Sequence, residues 1–170
     1  MKYDKYHECI KKDKKVFLSL YLYKIYVMLS ISTKYAIKAV LYLAVNSTVD
    51  KKILAKEISA PTGVPKAYLS KILQELSRHD IISSVKGPNG GFYLTAENQQ
   101  TSLIKIVDLI DGEHRLKSCI LSIQNCNADN PCPLHNMVGN TKSRFISKLE
   151  TTSIHDLVND IKTGKSNLPL

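Results

Sequence analysis

The sequence predicts a mainly α-helical protein with a small β-hairpin, in which a winged helix-turn-helix precedes a long dimerisation helix. Three observations predict this α+β class. A short helix, a glycine-containing turn and a longer amphipathic helix follow one another between residues 53 and 78. A hairpin pattern with a glycine-rich turn comes directly afterwards. A narrow apolar stripe then marks a long helix near the C-terminus.

The composition is that of a globular domain with appendages. The chain has 170 residues, of which 44% are apolar and 23% charged. Its 24 Lys and Arg against 15 Asp and Glu give a net charge of +9, which favours a polyanionic partner such as nucleic acid or an anionic membrane surface. Three of the four cysteines are clustered. This is unlike a secreted disulfide framework and predicts a cytoplasmic protein that holds thiolates for a metal.

Residues 1–27 differ from the rest of the chain. Four lysines precede an apolar run from Val16 to Tyr23, an order that imitates a signal peptide. No small-residue cleavage site follows, and Lys24 interrupts the run before it could span a bilayer. We therefore interpret residues 1–27 as an N-terminal extension that is either not native or disordered, and we expect no membrane association.

The remaining chain divides by its patterns into functional segments. The expected order is a winged helix-turn-helix DNA-binding domain at 28–100, a connecting helix at 101–118, a cluster-binding loop at 119–135, dimerisation helices at 133–162 and a tail at 163–170.

The first two helices are predicted from apolar spacing. One begins near Ser32, with Ser32 or Thr33 as its cap, and ends at Asn46. Its expected inward residues are Tyr35, Ala36, Ala39, Val40, Leu43 and Ala44. The second is expected from Ile53 to Ala60, with Leu54, Ala55 and Ile58 facing inward.

The third helix is the predicted DNA-recognition helix. It runs from about Pro65 to Arg78 and follows a turn in which Gly63 takes positive φ. Its buried stripe is Leu69, Ile72, Leu73 and Leu76. The opposite face combines basic and small side chains, which lets a helix approach base edges closely. Its expected DNA-facing residues are Lys66, Ala67, Tyr68, Ser70 and Lys71. Tyr68 could instead anchor the helix to the core, and an ordinary helical hairpin would also fit these residues.

A hairpin after this helix favours DNA binding. Residues 81–86 and 92–94 are predicted strands, joined by the turn 87–91. Such a wing can bring Lys86, Gly87 and Pro88 to a phosphate or the minor groove. The alternative is a winged helix that serves protein–protein assembly. The glycine-rich turn lacks the spacing of a nucleotide-binding loop.

The C-terminal part is predicted to consist of three helices. The first runs from Ser102 to Gly112, and the long second helix runs from Pro133 to about Glu150. The apolar stripe of the long helix is too thin for its own core, so we expect it to form a homodimer contact. The predicted dimer residues are Leu134, Val138, Phe145 and Leu149. A closing helix begins after Thr152 and Ser153.

Four donor side chains cluster between the connecting helix and the long helix. Cys119, Cys126 and Cys132 are separated by six and five residues, and His135 follows three residues later. The intervening segment has too few apolar side chains to fold alone, so a metal is the leading explanation for the cluster. Three cysteines and one histidine suit structural zinc as well as an iron–sulfur cluster. A thiol–disulfide switch without metal is the third interpretation.

The chain resembles the Rrf-type (IscR- and NsrR-like) family of bacterial winged-helix regulators. The resemblance rests on the run 32–37, the recognition helix, the wing 85–91 and the three spaced cysteines, and it covers residues 28 to 160. It implies a homodimeric transcriptional regulator, a repressor, that binds operator DNA and carries an iron–sulfur cluster on Cys119, Cys126 and Cys132. Two features depart from the family: the first cysteine gap is six residues instead of five, and Lys86 and Asn89 replace the usual Arg and Gly. Lysine cannot make the bidentate base contact of arginine but can still bind phosphate.

The fourth ligand separates the branches of that family. In the nitric-oxide-sensing branch it is an acidic residue near the start of the first helix, where this chain has Lys34, which cannot ligate while charged. In the other branch a histidine follows the third cysteine by three residues, as His135 does here. The resemblance therefore implies a 2Fe–2S cluster in preference to a 4Fe–4S cluster. Nothing in the sequence indicates an enzyme or a small-molecule substrate, because nucleophile–base pairs, paired carboxylates and nucleotide fingerprints are lacking.

Overall fold

The computed structural model describes residues 28–119, 121 and 131–168. The extension 1–27 and Cys126 therefore lie outside the described residues. Internal contacts divide the chain into Met1–Ser30 and Ile31–Leu170, and the second unit contains every element discussed below. Within the described part of the chain, no helix is both long and apolar enough to cross a membrane.

The fold is mostly helical with one two-stranded antiparallel hairpin, which confirms the predicted class. The N-terminal half of the described chain contains α1 (Ile31–Asn46), α2 (Ala55–Thr62), α3 (Lys66–Arg78), β1 (Ser83–Val85), β2 (Gly91–Tyr93) and α4 (Ala96–Gln99). The C-terminal half contains α5 (Leu103–Asp111), α6 (His114–Lys117), α7 (His135–Thr151) and α8 (Ile154–Lys162).

Helix α1 is the centre of the hydrophobic core. It packs against α2, α3, α5, α8 and β2. Its buried residues are Thr33, Ala36, Ala39, Val40, Leu43 and Ala44. Three of these are alanines, whose small side chains allow neighbouring helices to approach closely. The helix begins at Ile31, one residue earlier than predicted, so Ser32 and Thr33 lie in its first turn and do not precede it. Tyr35, expected to face inward, is only half-buried.

The helix-turn-helix forms much as its sequence predicts. Gly63 ends α2 with φ 67°, a left-handed conformation that glycine adopts without strain. The buried residues of α3 are the predicted stripe of Leu69, Ile72, Leu73 and Leu76. Helix α2 starts two residues later than expected. Leu54 stays 40% exposed at its N-terminus, so the prediction that Leu54 faces inward was wrong. The reason is that the backbone of Ile53 pairs with Phe92 of the hairpin, so the helix begins only after Leu54.

Backbone pairing attaches the hairpin to the segment before α2. Ser83, Ser84 and Val85 pair with Tyr93, Phe92 and Gly91 respectively. On the other side of β2, Ile53 and Phe92 exchange two backbone hydrogen bonds of 2.9 Å. A Cβ atom at Gly91 would lie 2.9 Å from the Ile53 carbonyl oxygen, which is too close for a side chain. Glycine at this position therefore allows the pairing that fixes the wing.

The buried side-chain amide of Asn98 joins three segments. Its Oδ1 accepts hydrogen bonds from Ser83 Oγ at 2.8 Å and from the Thr95 backbone nitrogen at 3.0 Å. Its Nδ2 donates to the Asp80 carbonyl oxygen at 2.8 Å. Asp80 has φ 55°, a conformation uncommon for a non-glycine residue. The amide therefore connects the end of helix α3, strand β1 and helix α4, although the sequence alone gave no indication of this role.

The junctions between C-terminal helices pair with each other. The Leu103 nitrogen donates to the Thr152 carbonyl at 2.9 Å, and the Ile154 nitrogen donates to the Thr101 carbonyl at 3.0 Å. Helix α5 packs on α1 and also on α7, with Leu103, Ile106 and Val107 buried. The long helix starts at His135, two residues later than predicted. The position of this long helix, α7, is thus determined by its packing on α5 and by the backbone hydrogen bonds beside the start of α8.

Replacing Asn98 with Ala should lower the free energy of unfolding by about 2 kcal/mol, because the Asp80 carbonyl and the Ser83 hydroxyl would lose a buried partner. Urea unfolding monitored by circular dichroism measures the change. Replacing the exposed Gln100 with Ala is the matched control and should change stability by less than about 0.5 kcal/mol. Equal stability of the two variants would contradict the assigned role of Asn98.

Stability should also depend on the capping pair of α8. Hydrogen bonds from the hydroxyl and the backbone nitrogen of Ser153 hold the pKa of Asp156 below its ordinary value. Because the folded pKa is the lower one, this contribution is complete above the unfolded pKa and is lost as the pH falls through the folded value.

The stability difference between the wild type and Asp156→Asn should consequently be constant above about pH 5 and shrink in acid. Urea unfolding between about pH 7 and pH 3 tests this expectation. Replacing Asp50, an exposed loop carboxylate, with Asn should give no such trend. A difference for Asp156→Asn that persists unchanged at the acid end would contradict the linkage.

Candidate nucleic-acid interface and metal centre

The polar face of α3 is open to solvent. Lys66, Ala67 and Lys71 are exposed and Ser70 is half-buried, while the opposite stripe is covered by the core. The Ser70 hydroxyl donates to the Lys66 carbonyl at 2.9 Å, which occupies its proton within the helix. This face offers positive charge with small side chains between the lysines, a combination that suits close approach to a DNA groove.

Tyr68 is fixed to the start of α1. Its hydroxyl makes a hydrogen bond with Ser32 Oγ, and its ring meets the Tyr35 ring edge-on, with centroids 6.0 Å apart and planes at 77°. The side chain remains 39% exposed. These contacts connect α3 with the first turns of α1 and leave part of the Tyr68 side chain accessible to solvent.

The wing is held at a fixed distance from α3. Ser77 Oγ on the helix and Ser84 Oγ on β1 are 2.7 Å apart and share a hydrogen bond. Lys86, Gly87 and Pro88 lie exposed at the tip. The tip is closed by a hydrogen bond of 3.0 Å from the Gly90 nitrogen to the Gly87 carbonyl. The hydrogen bond between Ser77 and Ser84 therefore holds the predicted DNA-facing residues of α3 and of the wing together.

One basic side chain beside the wing was not singled out from the sequence. Lys52 Nζ lies 5.7 Å from the centre of the Tyr93 ring and donates to the Val49 carbonyl at 2.9 Å. Only the pairing of Ile53 with Phe92 brings Lys52 to β2, so no local sequence signal could have found it. It adds positive charge to the base of the hairpin.

Two of the predicted metal ligands meet in the structure. The Sγ atoms of Cys119 and Cys132 are 3.4 Å apart, although the two residues are 13 positions apart in the sequence. Cys119 is 5% exposed and Cys132 is half-buried. The Ser118 nitrogen donates to the His114 carbonyl at 2.7 Å, and the His135 nitrogen donates to the Cys132 carbonyl at 2.9 Å. The ends of α6 and α7 thus place the two sulfur atoms.

A small cavity of about 30 Å³ adjoins the two sulfur atoms. Its walls are Cys119, Cys132, Leu134, His135, Val138, Gly139 and Lys142. His135 therefore lies on the same cavity as the two cysteines, beside Gly139 on the next turn of α7. Among the described residues, no three Cys, His, Asp or Glu side chains are grouped as a metal site. Cys126, the remaining predicted ligand, is outside the part of the chain that the structure describes.

The geometry of the sulfur pair fits a shared metal. Tetrahedral coordination with metal–sulfur bonds of about 2.3 Å places two thiolates on one ion roughly 3.7 Å apart. The observed separation of 3.4 Å is close to this value. It is much longer than the roughly 2.05 Å of a disulfide bond, so these two sulfur atoms are not bonded to each other. Cys119 and Cys132 can accordingly serve as two ligands of one metal ion with little movement.

Two lysines lie close to the cysteine pair. Lys142 lies on the cavity and its Nζ donates to the Ser118 carbonyl, a contact that sequence reasoning missed. A groove of about 600 Å³ adjoins the cavity along α7 and is also lined by Lys117.

The predicted dimer residues of α7 differ in exposure. Leu134, Val138 and Phe145 are half-buried, whereas Leu149 is 6% exposed and belongs to the core of its own chain. Leu134 and Val138 also line the cysteine cavity. Met137, at 67% exposed, is the most open large apolar side chain recorded on this helix. Most of α7 is therefore uncovered in the single chain.

The fold and the exposed basic helix and wing define a winged-helix DNA-binding protein. A model of the Rrf2 family, described as an iron-dependent transcriptional regulator, matches residues 29–160. The chain belongs to the Rrf2 family and is a transcriptional regulator, which confirms the resemblance found in the sequence. Its relatives are regulators and not enzymes, in agreement with the sequence.

Individual relatives support this assignment. The chain is 34% identical over 130 residues to an HTH-type transcriptional regulator of Aquifex aeolicus (strain VF5), covering 75% of this chain and 89% of that protein. It is 25% identical over 127 residues to the HTH-type transcriptional regulator IscR of Yersinia pseudotuberculosis (serotype O:1b, strain IP 31758), covering 75% and 76%.

Solved structures share the fold at lower identity. CymR (YrzC), the global cysteine regulator of B. subtilis, matches with a TM-score of 0.62 and 18% identity, covering 77% of this chain and 95% of that one. T. potens IscR matches with a TM-score of 0.60 and 17% identity, covering 81% and 90%. At these identities the matches establish the fold alone.

Proposed function

We propose that this regulator binds operator DNA as a homodimeric, cytoplasmic repressor, and that an iron–sulfur cluster held by Cys119, Cys126, Cys132 and His135 controls its affinity. The observation that carries the proposal is the 3.4 Å approach of the Cys119 and Cys132 sulfur atoms, on a cavity that His135 also lines. Two thiols so far apart in the chain meet here at the spacing of ligands to one metal ion.

DNA recognition is assigned to α3 and the wing. Lys66 and Lys71 would contact phosphates, while Ala67 and Ser70 leave room at the base edges and Tyr68 offers its exposed ring edge. Lys86, Gly87 and Pro88 would follow the adjacent backbone or minor groove. The hydrogen bond between Ser77 and Ser84 keeps these two contact regions at one separation, as a fixed half-site requires.

The cysteines are placed where they can influence this interface. They flank the end of α6 and the start of α7, and α7 packs on α5. Helix α5 packs on α1, which in turn packs on the recognition helix α3. When bound, a cluster with one imidazole ligand supplies a redox centre of raised potential. Its binding or loss would change how Cys119 and Cys132 hold α6 and α7, and thereby the spacing of two recognition helices in a dimer.

Two rival functions use the same thiols. Three cysteines and His135 also suit a structural zinc ion, which would staple the fold without redox sensing. The 3.4 Å separation would equally let Cys119 and Cys132 oxidise to a disulfide with a small movement.

The metal assignment is tested with protein purified without oxygen. The wild type should be coloured and contain iron and acid-labile sulfide, and Cys126→Ala should lose both. Operator affinity of the loaded wild type and this variant should differ by roughly tenfold, a typical coupling strength. Metal analysis, absorption spectra and gel-shift titration on the upstream region of the protein's own gene measure these quantities.

Cys9→Ala is the matched control, because Cys9 lies in the N-terminal extension. It should keep both the colour and the operator affinity. A colourless wild type with one zinc per chain would support the zinc staple. A metal-free wild type whose DNA affinity changes only on oxidation would support the disulfide switch.

The wing contact is tested with Lys86→Ala. Loss of one phosphate contact should weaken binding to specific and unrelated DNA alike and reduce the slope of log affinity against log salt by about one. Fluorescence anisotropy at several salt concentrations measures the slope. Lys162→Ala removes the same charge from the last turn of α8 and should leave the slope unchanged. An unaltered slope for Lys86→Ala would exclude Lys86 from the interface.

A further inference from the structure

Lys142 connects the long helix to the cysteine centre. It follows His135 by two helical turns, so both residues lie on the same face of α7. Its Nζ donates a hydrogen bond to the carbonyl of Ser118, the residue that precedes Cys119. The side chain is half-buried and forms one wall of the cavity that also contains Cys119 and Cys132. The ammonium group therefore holds the chain segment that carries one of the thiols, and the side chain lines the cavity that both thiols adjoin.

The described residues that line the cavity do not neutralise the positive charge of Lys142. Among the described residues that line this cavity, none is an aspartate or glutamate. The neighbouring Lys117 lines only the adjoining groove, and its charge acts on Asp108. Burial raises the pKa of Asp108, and Lys117 opposes that shift. Lys142 is thus the lysine that lines the cavity shared with the two cysteines.

We propose that Lys142 is a positioning residue of this centre: it holds the Ser118 carbonyl, and its ammonium group balances the negative charge of the Cys119 and Cys132 thiolates. This inference rests on the proposed metal-binding function. No family motif used above includes the residue.

The charge argument follows from the chemistry of thiolate ligation. Ligation of a metal by the Cys119 and Cys132 thiolates releases the thiol protons and puts negative charge on the centre. A fixed positive charge beside it stabilises the bound state relative to the neutral thiols. Reduction of an iron–sulfur centre adds a further negative charge, so the same ammonium group should raise the reduction potential.

The test uses the full chain, prepared metal-free without oxygen and titrated with Co²⁺, whose thiolate absorption bands report ligation. Competition with a chelator gives the affinity for Zn²⁺. Lys142→Met and Lys142→Gln should bind Zn²⁺ roughly tenfold more weakly than the wild type, while Lys142→Arg should stay near the wild type because its charge is kept. Lys148→Met removes an exposed charge from the same helix and should have no effect. In iron-loaded protein, Lys142→Met should have a lower reduction potential than Lys142→Arg.

The outcomes separate this inference from the function on which it rests. Unaltered circular dichroism of the variants establishes that folding is retained. Zn²⁺ affinity that is equal in the wild type and Lys142→Met would overturn the role of Lys142 while leaving the metal site intact. Equal weakening in Lys148→Met and Lys142→Met would overturn it as well, since the effect would then be one of general charge. A wild type that binds neither Co²⁺ nor Zn²⁺ through its thiols would overturn the metal site and this inference together.

Discussion

Burial of helix α1 is the constraint on which the rest of the structure depends. The helix contacts elements from both halves of the chain, including α3 and α5. Ala36, Ala39 and Leu43 are each 0% exposed, so neighbouring helices close on this one surface from several sides. Fully burying a leucine contributes roughly 1.5–3 kcal/mol, and the alanines let the surrounding side chains reach it. Helix α3 and helix α5, on which α7 packs, are consequently both fixed to α1.

Hydrogen bonds then set the orientation that apolar packing leaves open. Hydrophobic contact is non-directional, whereas the amide of Asn98 has one arrangement that satisfies Ser83 and Asp80 together. The hydroxyl pair Ser77 and Ser84 adds a second fixed distance between α3 and the wing. A DNA-binding surface made from two elements needs this kind of restraint, because both must meet one duplex in register.

The cysteine centre is built differently from the DNA-binding surface. Cys119 follows the end of the short helix α6, and Cys132 precedes the start of the long helix α7. Polar contacts such as that of Lys142 with Ser118 hold the region together. Only Leu149 of the long helix is buried in the single chain. Regions with few buried apolar contacts have low local stability and respond to ligands. The sensing proposed for this centre would need a region that responds to a ligand, whereas DNA binding needs two elements held at one separation.

The sequence by itself determined the helix-turn-helix, the hairpin and the cluster of donors, because apolar spacing, glycine at a positive φ such as Gly63 and cysteine spacing are local signals. It also carried the family resemblance. Only the tertiary structure decided the pairing of Ile53 with Phe92, the role of Asn98 and the position of Lys142, since each depends on partners distant in the chain. Leu54 shows the same limit, because its apolar side chain fits the stripe of a helix. In the structure Ile53 pairs with the hairpin, the helix begins after Leu54, and the Leu54 side chain stays exposed.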